Sequence, residues 1–319
     1  MPLRIAVIGV GYLGRHHARI LSTLPGVELV VVVDTNRPRA DEIAAAHGTR
    51  ATYDAREIHG SVDAVTIAVP TERHFDLALP FLAAGVPVLI EKPMARSLDE
   101  ADALIAAARK AEVTLAVGHT ERFNPAVEAA RSMLTDPRFI EVHRLGTFPE
   151  RSLDIDVVFD LMIHDLDVVL SLVRSDVQAI DAVGVPVLTG RVDIANARLR
   201  FGNGCIANLT ASRISRDRVR KIRFFQPSAY LSIDYAAQKL ETWRLVRRDG
   251  GVPSIQGGDV NVTNEEPLKR ELTDFVDAVV SRRPPGVTGE DGRRALALAQ
   301  QIADTINAAT KTRKHETTT

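Results

Sequence analysis

At 319 residues the chain exceeds what one hydrophobic core usually spans, so two domains are expected. Composition is 45% hydrophobic and 25% charged, and a net charge of −1 gives no long-range pull toward nucleic acid or an anionic membrane. The single Cys205 excludes an intramolecular disulfide and a multi-cysteine metal site, which fits a reducing compartment.

In chain order, short β-branched runs alternate with helical spacing through the first third. Leu3–Ile8, Glu28–Val33, Asp63–Val69, Val86–Ile90 and Val113–Val117 read as strands buried on both faces. Leu13–Thr23, Arg37–His47, Arg73–Ala83 and Leu98–Lys110 read as the helices between them. This alternation predicts an α/β domain with a parallel, doubly wound sheet over 1–120. The opening apolar run is too short for a signal peptide and flows into a glycine motif. Nor does any stretch approach the ~20 apolar residues of a membrane span. A soluble, cytoplasmic protein without membrane or nucleic-acid partners is expected.

Beyond residue 120 the pattern changes. A helix near Pro125–Leu134 and a strand near Phe139–Gly146 precede a helix at 158–173. Strand-like runs follow at Asp193–Phe201, Cys205–Arg213, Val219–Phe225, Ala229–Tyr235 and Leu240–Arg247, the first two flanking a Gly202-Asn203-Gly204 hairpin signal. This predicts a second, α+β domain over 121–312 with an open, mostly antiparallel sheet. Gly250–Asp259 reads as a flexible loop. Helices near Pro267–Ser281 and Glu290–Ala309 close the chain, the last able to pack back on the first domain, before a disordered tail at 313–319.

The helix at 158–173 is unusual. At roughly 100° per residue, Asp160, His164 and Asp167 fall on one stripe, continued by Ser171, in an otherwise apolar segment broken only by Asp165. A buried charge is costly unless paired or used.

Gly9-Val10-Gly11-Tyr12-Leu13-Gly14 directly follows the first strand and opens a helix. Glycines there let the backbone approach a pyrophosphate, whose charge the helix N-terminus meets. Asp34 ends the second strand, 20 residues after Gly14, where an acid accepts from adenosine ribose hydroxyls; a helix cap or turn acid is the competing reading. An acid there repels a 2′-phosphate, so NAD is favoured over NADP, with Arg37 keeping the latter open. His16 and His17 read as packing or surface residues. Val69-Pro70-Thr71 and Glu91-Lys92-Pro93 follow the third and fourth strands, at the edge where open α/β sheets bind ligands.

Taken together, the glycine loop, "EKPM", "GHTERFNPA" and Asp160-x-x-x-His164 resemble the glucose–fructose oxidoreductase/inositol dehydrogenase (Gfo/Idh/MocA) family over nearly the whole chain. The resemblance implies an N-terminal Rossmann domain and a C-terminal domain whose open sheet serves a homodimer or homotetramer. It implies a cis Lys92–Pro93 peptide and a catalytic set of Lys92, Asp160 and His164, acting across the domain cleft. It further implies cofactor contacts from Gly9, Gly11, Tyr12, Leu13, Gly14, Asp34, Thr35, Val69, Pro70, Thr71, His74, Glu91 and Lys92. Asp167 becomes a supporting or structural partner, and no metal is expected. A satisfied structural Asp–His pair is the alternative for Asp160 and His164.

"VGHTERFNPAV" and "RSLDIDVVFDLMIHDLD" most resemble the family's sugar-nucleotide dehydrogenases. That implies oxidation of the C3 hydroxyl of UDP-N-acetylglucosamine, for diamino-sugar and lipid A synthesis, with an aminotransferase taking the 3-keto product. UDP-N-acetylglucosaminuronate, a free polyol such as inositol, or a non-catalytic NAD-binding regulator are the alternatives. On the substrate side, Arg122, Asn124, Arg151 and Arg213 are the candidates. The cluster from Arg213 to Arg223 suits a nucleotide diphosphate or a solvated edge that discourages strand aggregation. Whether Lys92 or His164 takes the hydroxyl proton stays open.

Overall fold

The computed structural model describes residues 1–148, 155–246 and 253–316, with side chains as far as 309. The chain forms two compact units: Met1–Thr120 with Glu266–Arg293, and Glu121–Glu265 with Arg294–Thr319.

The first unit runs β1 (Leu3–Ile8), α1 (Gly14–Leu21), β2 (Val27–Val33), α2 (Arg37–His47), β3 (Arg50–Thr52), β4 (Ala64–Ile67), α3 (His74–Ala83), β5 (Val88–Glu91), α4 (Leu98–Ala111) and β6 (Leu115–Gly118). All its strands are parallel, in the order β3-β2-β1-β4-β5-β6, as the alternation of runs predicts. Strands β4, β5 and β6 are buried at every position because helices cover both faces, so they carry apolar runs rather than alternation. Helix starts are equally local: Asn36 accepts from Arg39 N–H ahead of Pro38 in α2, and Ser97 accepts from Glu100 N–H in α4. The sheet reverses its winding between β1 and β4, which puts the glycine loop, residues 68–71 and residues 91–93 together at the strands' carboxyl ends.

The second unit contains α5 (Pro125–Arg131), β7 (Phe139–Leu145), a π-helical turn (Val158–Met162) continuing into α6 (Ile163–Leu172), then β8 (Val177–Val185), β9 (Ile194–Phe201), β10 (Ile206–Ser212), β11 (Val219–Gln226), β12 (Ala229–Asp234), β13 (Lys239–Val246) and β14 (Ser254–Val260). Its eight strands follow the order β14-β13-β12-β11-β7-β10-β9-β8, and only β7 and β10 pair in parallel. Ile140, Val142, Leu209, Ile222, Phe224, Leu231 and Ile233 line the inner face against Ile163, Leu166 and Val169 of α6.

Three strands depart from the sequence reading, the shortest being the three-residue β3. β8 is exposed or half-buried at every position, with Val177, Ile180 and Ala182 packed partly against the core, so its burial signal is weak. β14 occupies part of the expected flexible loop, and its Gly257 and Gly258 both pair with β13. Helix α7 (Pro267–Ser281) joins the first unit, where Leu268, Leu272 and Phe275 share a core with Ile5, Val7 and Leu21. Helix α8 (Gly289–Glu316) continues past the expected end at 309 into the expected tail. Among the described residues, no helix is long and apolar enough to cross a membrane.

Candidate active site

In the first unit, the glycine loop excludes side chains at Gly9 and Gly14. Gly9 has φ +85°, and a Cβ there would lie 2.6 Å from Val69 Cγ1 and 2.7 Å from Ala68 O. A Cβ on Gly14 would fall 1.8 Å from Gly9 O, so the helix can start there only without one. Tyr12, 60% exposed, stands at the loop's tip with Arg15 over its ring. Asp34 is half-buried and accepts from Val10 N–H and Asn36 N–H, each at 2.9 Å, so it also fixes the loop. The bare backbone at the start of α1 and the acid at the end of β2 fit the diphosphate and ribose of a dinucleotide. The neighbouring arginines are engaged elsewhere: Arg39 donates to Val10 O and pairs with Glu42, and Arg37 lies over the Tyr53 ring.

Beneath the next two strand ends is a staple. His74 is 1% exposed, with Nδ1 2.9 Å from Pro93 O and Nε2 2.9 Å from Val69 O. Its ring therefore ties the loop after β4 to the turn after β5, and enclosure takes it out of the expected cofactor-contacting set. Burial lowers its pKa, opposed by the two carbonyls and Glu91. Glu91 is likewise turned inward, its Oε1 3.2 Å from Nε2 of the fully buried His17. Gly118 permits that position, since a Cβ there would lie 2.7 Å from Glu91 Oε1. His17 is thus a buried polar partner, a role that helical spacing alone did not reveal. Lys92 is half-buried, and the Lys92–Pro93 peptide is cis, as the resemblance implies.

In the second unit, Asp160 lies within the π turn and His164 is the second residue of α6, both half-buried. The expected continuous α-helical stripe is therefore interrupted, and the wider turn sits under the candidate residues, as π-bulges often do. Asp167 is 1% exposed and receives a two-pronged ion pair from Arg122, Nε and Nη2 each donating at 2.8 Å. Asp165, equally buried, receives Arg144 Nε at 2.6 Å and Nη2 at 3.0 Å. Arg144 Nη1 also donates to Glu121 at 3.1 Å, and the guanidinium lies 5.2 Å from the Tyr235 ring centre. Burial opposes the charge on Arg144, but Asp165 and Glu121 outweigh it and raise its pKa. Burial, followed by Asp165, pushes the Tyr235 phenol up.

The expected substrate ligands are corrected by these contacts. Arg122 is locked onto Asp167. Asn124 is 1% exposed, caps α5 by accepting from Ala126 N–H, and donates to Tyr235 O. Arg213 is 1% exposed and donates to Asp193, Ile155 O and Thr189 Oγ1. Each is drawn inward by a buried acceptor and serves the framework. Arg151 lies outside the described residues. Sequence reasoning missed Arg144, although Ile140 and Val142 share its phase on β7 and marked that side as inward. Among the described residues, no group of three or more His, Cys, Asp or Glu could hold a metal ion.

Residues 3–119 match an oxidoreductase family described as having an NAD-binding Rossmann fold, and residues 100–226 match the GFO/IDH/MocA C-terminal domain. The chain is 40% identical to UDP-N-acetylglucosamine 3-dehydrogenase of Acidithiobacillus ferrooxidans over 96% of its own length and 98% of the relative's. A solved structure of that enzyme superposes with a TM-score of 0.90 at 39% identity, covering 97% of this chain and 99% of that one. Inositol 2-dehydrogenase of Rhizobium meliloti is 26% identical over 96% of this chain and 97% of the relative.

Proposed function

Because the chain belongs to the Gfo/Idh/MocA family of NAD-binding oxidoreductases, we propose that it oxidises the C3 hydroxyl of UDP-N-acetylglucosamine to the 3-keto sugar nucleotide. The carrying observation is that 40% identity to a 3-dehydrogenase for this substrate extends over 96% of the chain, whereas the similar inositol dehydrogenase reaches 26%.

Gly9, Gly11, Gly14 and Asp34 hold NAD, with Tyr12, Leu13, Thr35 and residues 69–71 around it. NAD, when bound, supplies the acceptor for the carbinol hydride. His164 takes the hydroxyl proton as the general base. Asp160 orients the ring, and Lys92 holds the substrate oxygen and stabilises its developing negative charge. His74 and Glu91 serve Lys92 indirectly, by fixing the turn that carries it. The acid at Asp34, with Arg39 held by Val10 O and Glu42 and Arg37 over the Tyr53 ring, favours NAD over NADP.

The 3-keto product calls for an aminotransferase, as in diamino-sugar synthesis for lipid A, and such a sequence belongs to the cytoplasm. A homodimer or homotetramer is supported by the row Phe139, Phe225, Tyr230 and Trp243 across the outer face of the sheet, with Trp243 40% exposed.

The test is mass spectrometry of UDP-N-acetylglucosamine after incubation with NAD, protein near stoichiometry and a carbonyl trap. A trapped keto-sugar nucleotide that is absent with Lys92→Ala supports the reading. Unchanged sugar nucleotide with NAD demonstrably bound overturns it and points to the uronate or a free polyol. Failure of all three leaves a regulator.

A further inference from the structure

Six basic residues crowd between Arg213 and Arg223, and the fold sorts them sharply. Arg213 is interior and pairs with Asp193 at 2.9 Å. Lys221 and Arg223 face outward and pair with Asp234 at 3.5 Å and Glu141 at 2.5 Å. Arg216, Arg218 and Arg220 remain. Among the described residues, none of these three has a carboxylate within ion-pair distance.

Edge protection does not account for them. β11 is the fourth of eight strands, flanked on both sides by β12 and β7, so it has no open edge to guard. Strand phase assigns Arg220 to the inner face, with buried Ile222 and Phe224. That is the face packed against α6. Directly across the ladder from Arg220 is Arg144, whose guanidinium grips Asp165, the residue after His164. The two nearest carboxylates, Asp165 and Glu121, are therefore already committed to Arg144. Arg220 itself is exposed at the start of the strand; partial desolvation of its guanidinium and the charge of Arg144 lower its pKa, so an additional anion would relieve it.

The turn carrying Arg216 and Arg218 is also held firmly. Gly146 N–H donates to Ser212 O at 2.7 Å, Ser215 N–H donates to Gly146 O at 2.9 Å, and Ser215 Oγ bonds Ser212 Oγ at 3.0 Å. Arg218 reaches Thr147 Oγ1 at 3.5 Å. A tethered platform loses little entropy when it closes on a ligand.

We propose that Arg216, Arg218 and Arg220 form the binding site for the diphosphate of a sugar nucleotide. This rests on the proposed substrate and locates its anion in the second unit, separate from the glycine loop of the first. Planar guanidinium forks match phosphate oxygens two at a time, which suits three arginines and a diphosphate.

The experiment titrates UDP and inorganic pyrophosphate into the full-length protein and into Arg216→Gln, Arg218→Gln, Arg220→Gln and the triple variant, by calorimetry. An exposed outer-face arginine, Arg198→Gln, controls for general loss of charge. Each site substitution should weaken UDP by roughly tenfold, the scale of one charge-assisted hydrogen bond. NAD affinity and melting temperature should hold, and the control should bind UDP normally. Unchanged UDP affinity in the triple variant, or an equal loss in the control, overturns the site. The two readings fail separately. Loss of pyrophosphate binding in the triple variant, without any oxidation of UDP-N-acetylglucosamine by the unaltered protein, keeps the site and removes the substrate. Oxidation with an unchanged KM in the triple variant does the reverse.

Discussion

Replacing Arg122 with methionine separates two roles that residue type alone allows: substrate ligand and framework ion pair. Arg122 donates twice to Asp167, at 2.8 Å each, and Asp167 is 1% exposed. Removing the guanidinium leaves a carboxylate desolvated and without its fork. Breaking one side of a buried pair costs about 3–5 kcal/mol. At roughly 2–4 °C per kcal/mol for a unit of this size, the melting temperature should fall by about 6–20 °C. Asp167→Leu in the same background removes the stranded charge and should recover most of that loss. Differential scanning calorimetry of the two single variants and the double variant measures the coupling. Substrate KM is then taken well below the lowered melting point, where it should stay within twofold or so of the original. A melting temperature within a degree or two of the original, with KM raised tenfold, would refute the framework role and return Arg122 to the substrate.

Further expectations follow from single contacts. His74→Ala removes the buried ring that bridges the Val69 and Pro93 carbonyls, so stability should drop by about 1–3 kcal/mol; turnover should fall with Lys92 displaced while NAD affinity, read by fluorescence titration, holds. Asp193 is buried, but the N–H groups of Thr189 and Leu188 and the Arg213 guanidinium outweigh that and hold its pKa well below the usual carboxylate range. Its stabilisation is therefore complete above the unfolded carboxylate pKa of about 3.9 and is lost as pH falls below that toward the folded value; urea melts from pH 6 to 3 should show this loss, and Asp193→Asn, weaker at pH 6, should show a shallower one. Asn124→Ala removes both the cap of α5 and a bond to Tyr235 O, costing about 1–2 kcal/mol by urea melts.

The first sheet was legible because strands covered on both faces must be apolar throughout, and because a diphosphate-binding turn needs glycine at fixed places. Arg50–Thr52 escaped notice through shortness, and Val177–Val185 because a strand with no fully buried position carries only a weak burial signal. Roles of charged side chains were harder, since they are set by partners distant in sequence. Arg122 meets its carboxylate 45 residues away, Asn124 its carbonyl 111 away and Arg213 its aspartate 20 away. Some signals were present nonetheless. Asn124 before Pro125 is a helix-start pattern, and the phase of Arg144 with Ile140 and Val142 marked it as inward.

The aspartates of α6 make sense once the packing around it is considered. Ile163, Leu166, Val168, Val169 and Leu172 are all buried and point in several directions, so apolar contact grips the helix on most sides. Such contact is non-directional and tolerates small rotations with repacking. Ion pairs with two donors are not tolerant in that way. Arg122, from just ahead of α5, holds Asp167; Arg144, from β7, holds Asp165, two residues earlier and therefore on another side. Together they pin the rotation of the helix that follows the π turn. Two of the three carboxylates thus set the orientation in which Asp160 and His164 are presented, and the desolvation they cost is exchanged for register rather than for stability.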